Sequence, residues 1–284
     1  MENRDILHAG KFGNMVWEGE LPMLTFPSLD ETGIVKHGFT SREGGVSEGI
    51  FRSLNLGFSR GDREEAVREN LKRVAKALKI KEDSFVFTHQ THTVNVKRVY
   101  AEDAGKGFIK ERDWSDVDGL ITDEPGLMLS AFFADCVPLY FVDPVNRAIG
   151  LSHSGWRGTV NRMGRVTTEA MKEAFGTNPA DLICAVGPSI CGSCYEVGPE
   201  VAEEFIVAFG GKAGEILRDD RNGKFHLDLK KANRIILEEA GVEPDHITDS
   251  GICTCCYPDI LFSHRASKGR RGTLGAFLSL KEVQ

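Results

Sequence analysis

A mixed or antiparallel α+β fold, rather than a doubly wound sheet, is what this sequence predicts. Three observations carry the prediction. Stretches of strand character and stretches of helical periodicity are interleaved without a strict βαβα alternation. Asp143-Pro144-Val145-Asn146 lies between two apolar runs, a hairpin signal that joins antiparallel neighbours. The glycine-loop patterns GxGxxG and GxxxxGK[ST] are absent, which argues against a nucleotide cofactor cradled on a parallel sheet.

The elements follow in chain order. Residues 63–78 form the clearest predicted helix: Val67, Leu71, Val74 and Leu78 recur at spacings of four and three, so they share one face. Asp62 is placed to cap it, with Glu65 three residues on as the partner of a capping box. Strands are predicted at 85–88, 94–99, 119–122, 127–133, 137–142 and 148–152. A helix follows at 158–175, then a strand at 182–186, a helix at 199–209, a strand at 225–229, a helix at 229–240 and a strand at 272–280. No linker or repeat interrupts the chain. One domain over 1–284 is expected, compact from about residue 20, with residues 1–20 as a peripheral segment.

Composition narrows the function. The 284 residues are 41% hydrophobic and 27% charged, enough for a large core without disulfide staples. The net charge of −7 argues against nucleic acid as the main partner. The cluster Arg265, Lys268, Arg270 and Arg271 remains as a local basic pocket for a phosphate. No apolar run approaches the roughly 20 residues that span a bilayer, and MENRDILHAG lacks a basic segment followed by an apolar stretch. A cytoplasmic protein off the membrane is therefore expected, with its seven cysteines reduced. Reduced thiols point to metal ligands, nucleophiles or core packing.

The hairpin gives a geometric expectation. If the turn is Asp143-Pro144-Val145-Asn146, Val142 faces Arg147, and an undisturbed ladder sets Cys136 opposite His153 with Cβ atoms roughly 4.5–5.5 Å apart. Pro138 can disturb that ladder. Such a pair suits two ligands of one ion, or a Cys–His catalytic pair. A third ligand has to come from elsewhere. His89 and His92 are both candidates, and in an extended chain residues three apart point to opposite faces, so only one of them fits.

Several motifs together resemble the YfiH/YlmD family, also labelled polyphenol oxidase or multicopper laccase-like. They are TSREGGVSEGIFRSLNL (40–56), QTH (90–92), DVDGLITDEPGLMLSAFFADCVP (116–138), HSGWRG (153–158), GPSICGSCYEV (187–197), HLDL (226–229) and CTCCYPDILFSHR (253–265). They span nearly the whole chain, and ADC–P followed by H–GWRG is the most specific pairing. The resemblance implies metal ligation by His92, Cys136 and His153, and so selects His92 over His89. The Gly that usually follows the first ligand is Thr93 here, and Ala266 and Ser267 stand where the family carries Arg and Asp. The resemblance also implies a two-sheet β core flanked by helices, a layered αββα arrangement shared with the catalytic domain of cytotoxic necrotizing factor. It implies phosphorolysis of adenosine, inosine and methylthioadenosine, with adenosine deamination besides. Copper-dependent phenol oxidation is also attributed to the family.

These residue types suit that chemistry. Two imidazoles and a thiolate leave one position of a tetrahedral zinc open, where water can be activated. Arg42, Arg157 and Arg265 lie in the motifs and carry the bidentate guanidinium that phosphate binding uses. Asp135 is placed to orient a ligand or move a proton. Zinc is the expected cofactor, with copper the alternative, and purine nucleosides and phosphate are the expected partners of a monomer or homodimer. Two rival readings stand beside this one. A copper oxidase normally needs several coppers and many histidines, whereas this chain has eight, scattered. A metal-free hydrolase would use Cys136 as nucleophile and His153 as base. Cys191, Cys194, Cys253, Cys255 and Cys256 read either as buried thiols or as a second, structural zinc site.

Overall fold

The structure is a computed structural model and describes residues 11–18 and 21–282. Among these residues, two large sheets face one another. The first has seven strands in the order Lys11–Phe12, Met15–Glu18, Met23–Thr25, Val35–Thr40, Leu274–Leu280, Met128–Phe133, Phe85–Phe87, with only the last pair parallel. The second has six, in the order Ile247–Asp249, Ile183–Val186, Val137–Asp143, Ala148–Ser154, Gly119–Thr122, Val96–Arg98, with its two outer pairs parallel. A small third sheet joins Glu196–Val197, Phe225–Leu227 and Leu217–Asp219. Residues 1–10 and 19–20 of the stretch set apart as peripheral lie outside the described residues, and its residues 11–18 supply the edge strand and its neighbour at one side of the first sheet.

Three apolar layers result. Phe39, Leu129, Ala131 and Leu278 of the first sheet meet Tyr140, Val142, Ile149 and Leu151 of the second in the central core. The outer face of the first sheet packs Phe85, Met128 and Phe277 against Val67, Leu71 and Val74 of helix Glu64–Leu78. The outer face of the second packs Leu139, Phe141 and Val186 against Met171, Phe205 and Leu237 of the helices Met163–Phe175, Pro199–Phe209 and Leu229–Glu239. This is the layered αββα arrangement that the family resemblance implies.

Several expectations need correction. Asp62 does not cap its helix. The helix starts one residue late for it, with Arg63 at the N-cap, and the carboxylate instead accepts Ser47 Oγ and Asn55 Nδ2 at 2.6 and 3.0 Å. The helix expected at 158–175 is two helices, Trp156–Val160 and Met163–Phe175, broken where Arg162 takes φ 62°. The strand expected to reach Leu229 ends at Leu227, because Asp228 accepts Lys231 N–H at 3.0 Å and caps the next helix.

The hairpin register also differs. Asp143 pairs with Ala148 and His153 with Pro138, so the ladder is offset by two residues from the expected one. The cause is a wider loop. Asp143 Oδ1 accepts the N–H groups of Val145 and Asn146 at 3.0 and 2.9 Å, and Arg147 closes the loop with φ 51°. An offset of two keeps every side chain on its own face. Cys136 and His153 therefore still share a face, as diagonal neighbours, and Gly155 falls opposite Cys136.

Candidate active site at the seam of the two sheets

The chain crosses from the first sheet to the second twice at the same end. One crossing runs from Phe85–Phe87 to Val96–Arg98 and carries His92; the other is the bend Ala134-Asp135-Cys136 between Met128–Phe133 and Val137–Asp143. His153 comes from strand Ala148–Ser154 beside them. A cleft of about 560 Å³ opens there, lined among others by His89, His92, Phe132, Phe133, Cys136, His153 and Arg271.

Each donor is held in place. Gln90 acts as an extra rung against strand Met128–Phe133: its Nε2 donates to the Phe132 carbonyl at 2.7 Å and its Oε1 accepts Phe132 N–H at 2.8 Å. Just beyond it, the chain wraps Asp118. The carboxylate accepts N–H from Thr91, His92 and Thr93 at 3.1, 3.1 and 2.9 Å, and Thr93 Oγ at 2.9 Å. These bonds hold His92 at φ 67°, a left-handed conformation that a non-glycine residue rarely takes unaided. Asp118 Oδ1 also accepts His153 Nδ1 at 2.7 Å, which fixes the imidazole and leaves Nε2 for the cleft. Burial pushes the Asp118 carboxyl up, but the bonds from His153, Thr93 and Thr91 outweigh it and bring the pKa down to about 2.

The ring nitrogens of His92 and His153 and Cys136 Sγ lie within 4.8 Å of one another. Burial pushes the Cys136 thiol up, yet the charges and hydrogen bonds of His153 and His92 bring it down. His153 moves the other way, since Cys136 and Asp118 raise it against the effect of burial. The two opposite shifts both favour the charged pair, thiolate and imidazolium, over the neutral one. Gly155 completes the cradle. A Cβ there would stand 2.9 Å from His92 Cδ2 and 3.1 Å from Cys136 Sγ. Its φ is an ordinary −73°, so close approach, not conformational freedom, requires glycine. Two imidazoles and one thiolate converging on a point suit a single divalent ion with an open fourth position.

The remaining expected residues sit elsewhere. His89 lines the cleft, but its Nδ1 is occupied by Asp116 N–H at 3.1 Å. Asp135 is buried beside Cys136 at φ 86°, and its oxygens accept Thr254 Oγ at 2.6 Å and Arg265 N–H at 2.7 Å. It thus ties two points of the connection between Ile247–Asp249 and Leu274–Leu280 to the bend. Arg265 donates to the Glu196 carbonyl at 2.8 Å and lies 5.3 Å over the Tyr195 ring. Arg157 is exposed, 4.3 Å over the ring of Trp156. Arg42 is drawn away from the cleft: it donates to the carbonyls of Arg52 and Pro258 and stacks on Phe262 at 4.5 Å.

Three further residues belong to the site, two of them, Asp118 and Gln90, without an expected role. Asp118 and Gln90 lie inside quoted motifs, but no spacing rule marks them. Arg271 belongs to the basic cluster of the sequence; it is buried against the cleft, and its Nε has no partner among the described residues. Burial lowers its pKa to about 10, so it keeps its charge at neutral pH.

The fold and donor set define a two-sheet αββα protein with a metal-type site at the sheet seam. Residues 36–281 match the family described as multi-copper polyphenol oxidoreductase laccase, and the chain belongs to that family. A purine nucleoside phosphorylase of Deinococcus radiodurans is 40% identical over 92% of this chain and 93% of its own length. The purine nucleoside phosphorylase YlmD of Bacillus subtilis is 37% identical over 87% and 88%. The crystal structure of YlmD from Geobacillus stearothermophilus superposes with a TM-score of 0.89 at 33% identity, over 95% of this chain and all of that one. The YfiH protein of Bacillus licheniformis also gives 0.89, at 34% identity and the same coverage. No helix among the described residues is long and apolar enough to cross a membrane.

Proposed function

We infer that this chain is a purine nucleoside phosphorylase acting on adenosine, inosine and methylthioadenosine, with adenosine deamination as a second activity. The observation that carries the reading is the juxtaposition, in one cleft, of the His92/Cys136/His153 donor set and the buried cation Arg271. The names of the relatives support the phosphorylase part of the reading. A cleft of about 560 Å³ lies within the roughly 300–1,000 Å³ that small-molecule sites occupy. Zinc, held by His92, Cys136 and His153, would supply a Lewis acid with one open position.

The chain's own groups account for the rest. Phosphorolysis replaces the bond between ribose C1′ and the purine nitrogen with a bond from C1′ to a phosphate oxygen, and the purine leaves with a proton. Arg271 and the neighbouring Arg60, both lining the cleft, offer the charge that holds a phosphate dianion. Phe58, Phe132 and Phe133 offer aromatic surface to the base. Copper oxidation of phenols fits less well. It calls for several coppers and many imidazoles, and within the metal-type cluster His92 and His153 are the two available.

The test is incubation of the purified protein with adenosine or inosine, with and without phosphate. Ribose 1-phosphate that appears only with phosphate supports the reading; free ribose without phosphate marks a hydrolase instead. Cys136→Ala should lose turnover yet stay folded, since a half-buried bend cysteine contributes little apolar volume. Full turnover in folded Cys136→Ala would remove Cys136 from the site.

A further inference from the structure

A second group of soft donors lies outside the cleft. Cys191, Cys194, Cys253 and Cys256 place four Sγ atoms within 4.8 Å of one another. In sequence they are two C-x-x-C pairs about 60 residues apart, the doubled spacing of tetrahedral thiolate sites. Backbone bonds, not the sulfurs, bring the two loops together. Thr254 N–H donates to the Ser189 carbonyl at 3.1 Å and Ser189 N–H to that of Ile252 at 3.4 Å. His226 Nδ1 holds the first turn at the Gly192 carbonyl, at 3.1 Å.

The sulfurs themselves are arranged for an ion. Cys194 Sγ stands 3.5 Å from Cys256 Sγ. That is far beyond the ~2.05 Å of a disulfide. It is close to the about 3.8 Å edge of a tetrahedron whose metal–sulfur bonds are about 2.3 Å. Cys191 N–H is aimed at Cys253 Sγ at 3.2 Å, the outer-shell bond that stabilises a ligating thiolate. Cys253 is buried, Cys191 and Cys194 are half-buried and Cys256 is exposed, so an ion can enter from one side and be enclosed on the others. Cys255, between the last two, is not among the four.

We propose that Cys191, Cys194, Cys253 and Cys256 form a closed structural zinc site, separate from His92, Cys136 and His153. Binding releases the four thiol protons to solvent and leaves a site of net charge −2. All-sulfur tetrahedral donors select zinc or iron–sulfur centres, and four sulfurs drawn this close enclose one ion rather than a cluster of several metals. The site's purpose is to brace the cleft. Thr254, next to Cys253, donates to Asp135 beside Cys136, and Tyr195, next to Cys194, carries Arg265. The proposal stands apart from the phosphorylase reading, and each can fail alone.

The test is metal content. Protein purified without added metal should hold two zinc ions per chain. Cys136→Ser should hold one, as should Cys256→Ser, while Cys255→Ser should keep two. Cobalt exchanged into Cys136→Ser should give the strong sulfur-to-metal charge-transfer absorption of a thiolate site. The unfolding midpoint of Cys136→Ser should fall on chelation and return when zinc is added back. Cys136→Ser that binds neither zinc nor cobalt would overturn the proposal, whether the four cysteines then titrate as free thiols or are found as disulfides. Iron in place of zinc in that variant would overturn the metal assignment.

Discussion

His153 Nδ1 lies 2.7 Å from Asp118 Oδ1, and both side chains are buried. The same carboxylate accepts three successive backbone N–H groups from the loop that carries His92. One aspartate therefore sets the position of two of the three donors, from a different strand and a different loop.

Asp118→Asn should consequently damage the site more than a single lost bond suggests. The amide nitrogen brings a donor to a place where every neighbour is a donor. We expect zinc affinity and kcat/KM for inosine phosphorolysis to fall about 10–100-fold, the usual cost of an outer-shell carboxylate on a metal-bound histidine. Zinc titration and phosphate-dependent turnover measure the two effects. Unchanged values in folded protein would remove Asp118 from its organising role.

Gly155→Ala tests the cradle. The added methyl would meet His92 Cδ2 at 2.9 Å and Cys136 Sγ at 3.1 Å, closer than a Cβ normally approaches. The backbone angles suit alanine, so the fold should survive with its unfolding midpoint little changed. Displacing the donors should lower kcat/KM by about 10–100-fold. An active Gly155→Ala enzyme would mean that the donors have room to spare.

His37 makes stability depend on pH at a point far from the cleft. It is buried, and its Nε2 accepts Phe26 N–H at 2.7 Å, which requires a neutral ring. Asp30 Oδ1 faces its Nδ1 at 3.5 Å, but burial first, and then the charge of Lys281, bring its pKa down to about 3. An unfolded histidine titrates near 6.5. Between these values only the unfolded chain binds the proton, so stability falls as pH drops below about 6.5 and is insensitive to His37 above it. Urea unfolding at about pH 7 and about pH 5.5 should show a loss of about 1 kcal/mol in the parent that His37→Gln lacks. Equal losses in both proteins would show that His37 is not the titrating group.

Much of the architecture was legible where burial is one-sided or the run is long. Val67, Leu71 and Val74 announce their helix, and the apolar runs around Leu129 and Val142 announce central strands. Short or edge strands such as Met23–Thr25 and Ile247–Asp249 carry too few residues to show a period. The meeting of Cys136 and His153 was legible because parity survives a shift of two, although the side chain of Asp143 widened the turn. The parts that stayed hidden depend on long-range pairing. Asp118 is 26 residues from His92 and 35 from His153, and Arg271 reaches the cleft only because strand Leu274–Leu280 lies beside Met128–Phe133. Charge and spacing alone could not separate Arg271 from Arg42, whose guanidinium is drawn off by Phe262 and two carbonyls.

That separation is itself testable, because only phosphorolysis needs a bound anion. Arg271 lines the cleft, is desolvated and keeps its charge, and its Nε is free to donate. Arg157, the candidate of the HSGWRG motif, is exposed over Trp156. If phosphate sits beside Arg271, Arg271→Gln should raise the phosphate KM at least about 10-fold, in line with the ~1.5–3 kcal/mol of a charge-assisted bond. Adenosine deamination, which uses no phosphate, should change much less. Arg271→Lys should recover part of the loss, since it restores charge but not the planar fork. Nη1 of Arg271 also holds the Gly272 carbonyl at 3.0 Å and Thr273 Oγ at 3.2 Å. A purely structural role would therefore lower both activities together and leave the phosphate KM unmoved. Arg157→Ala completes the comparison: if it, and not Arg271→Gln, raises the phosphate KM, the anion sits on the helix side of the cleft and the assignment of Arg271 fails.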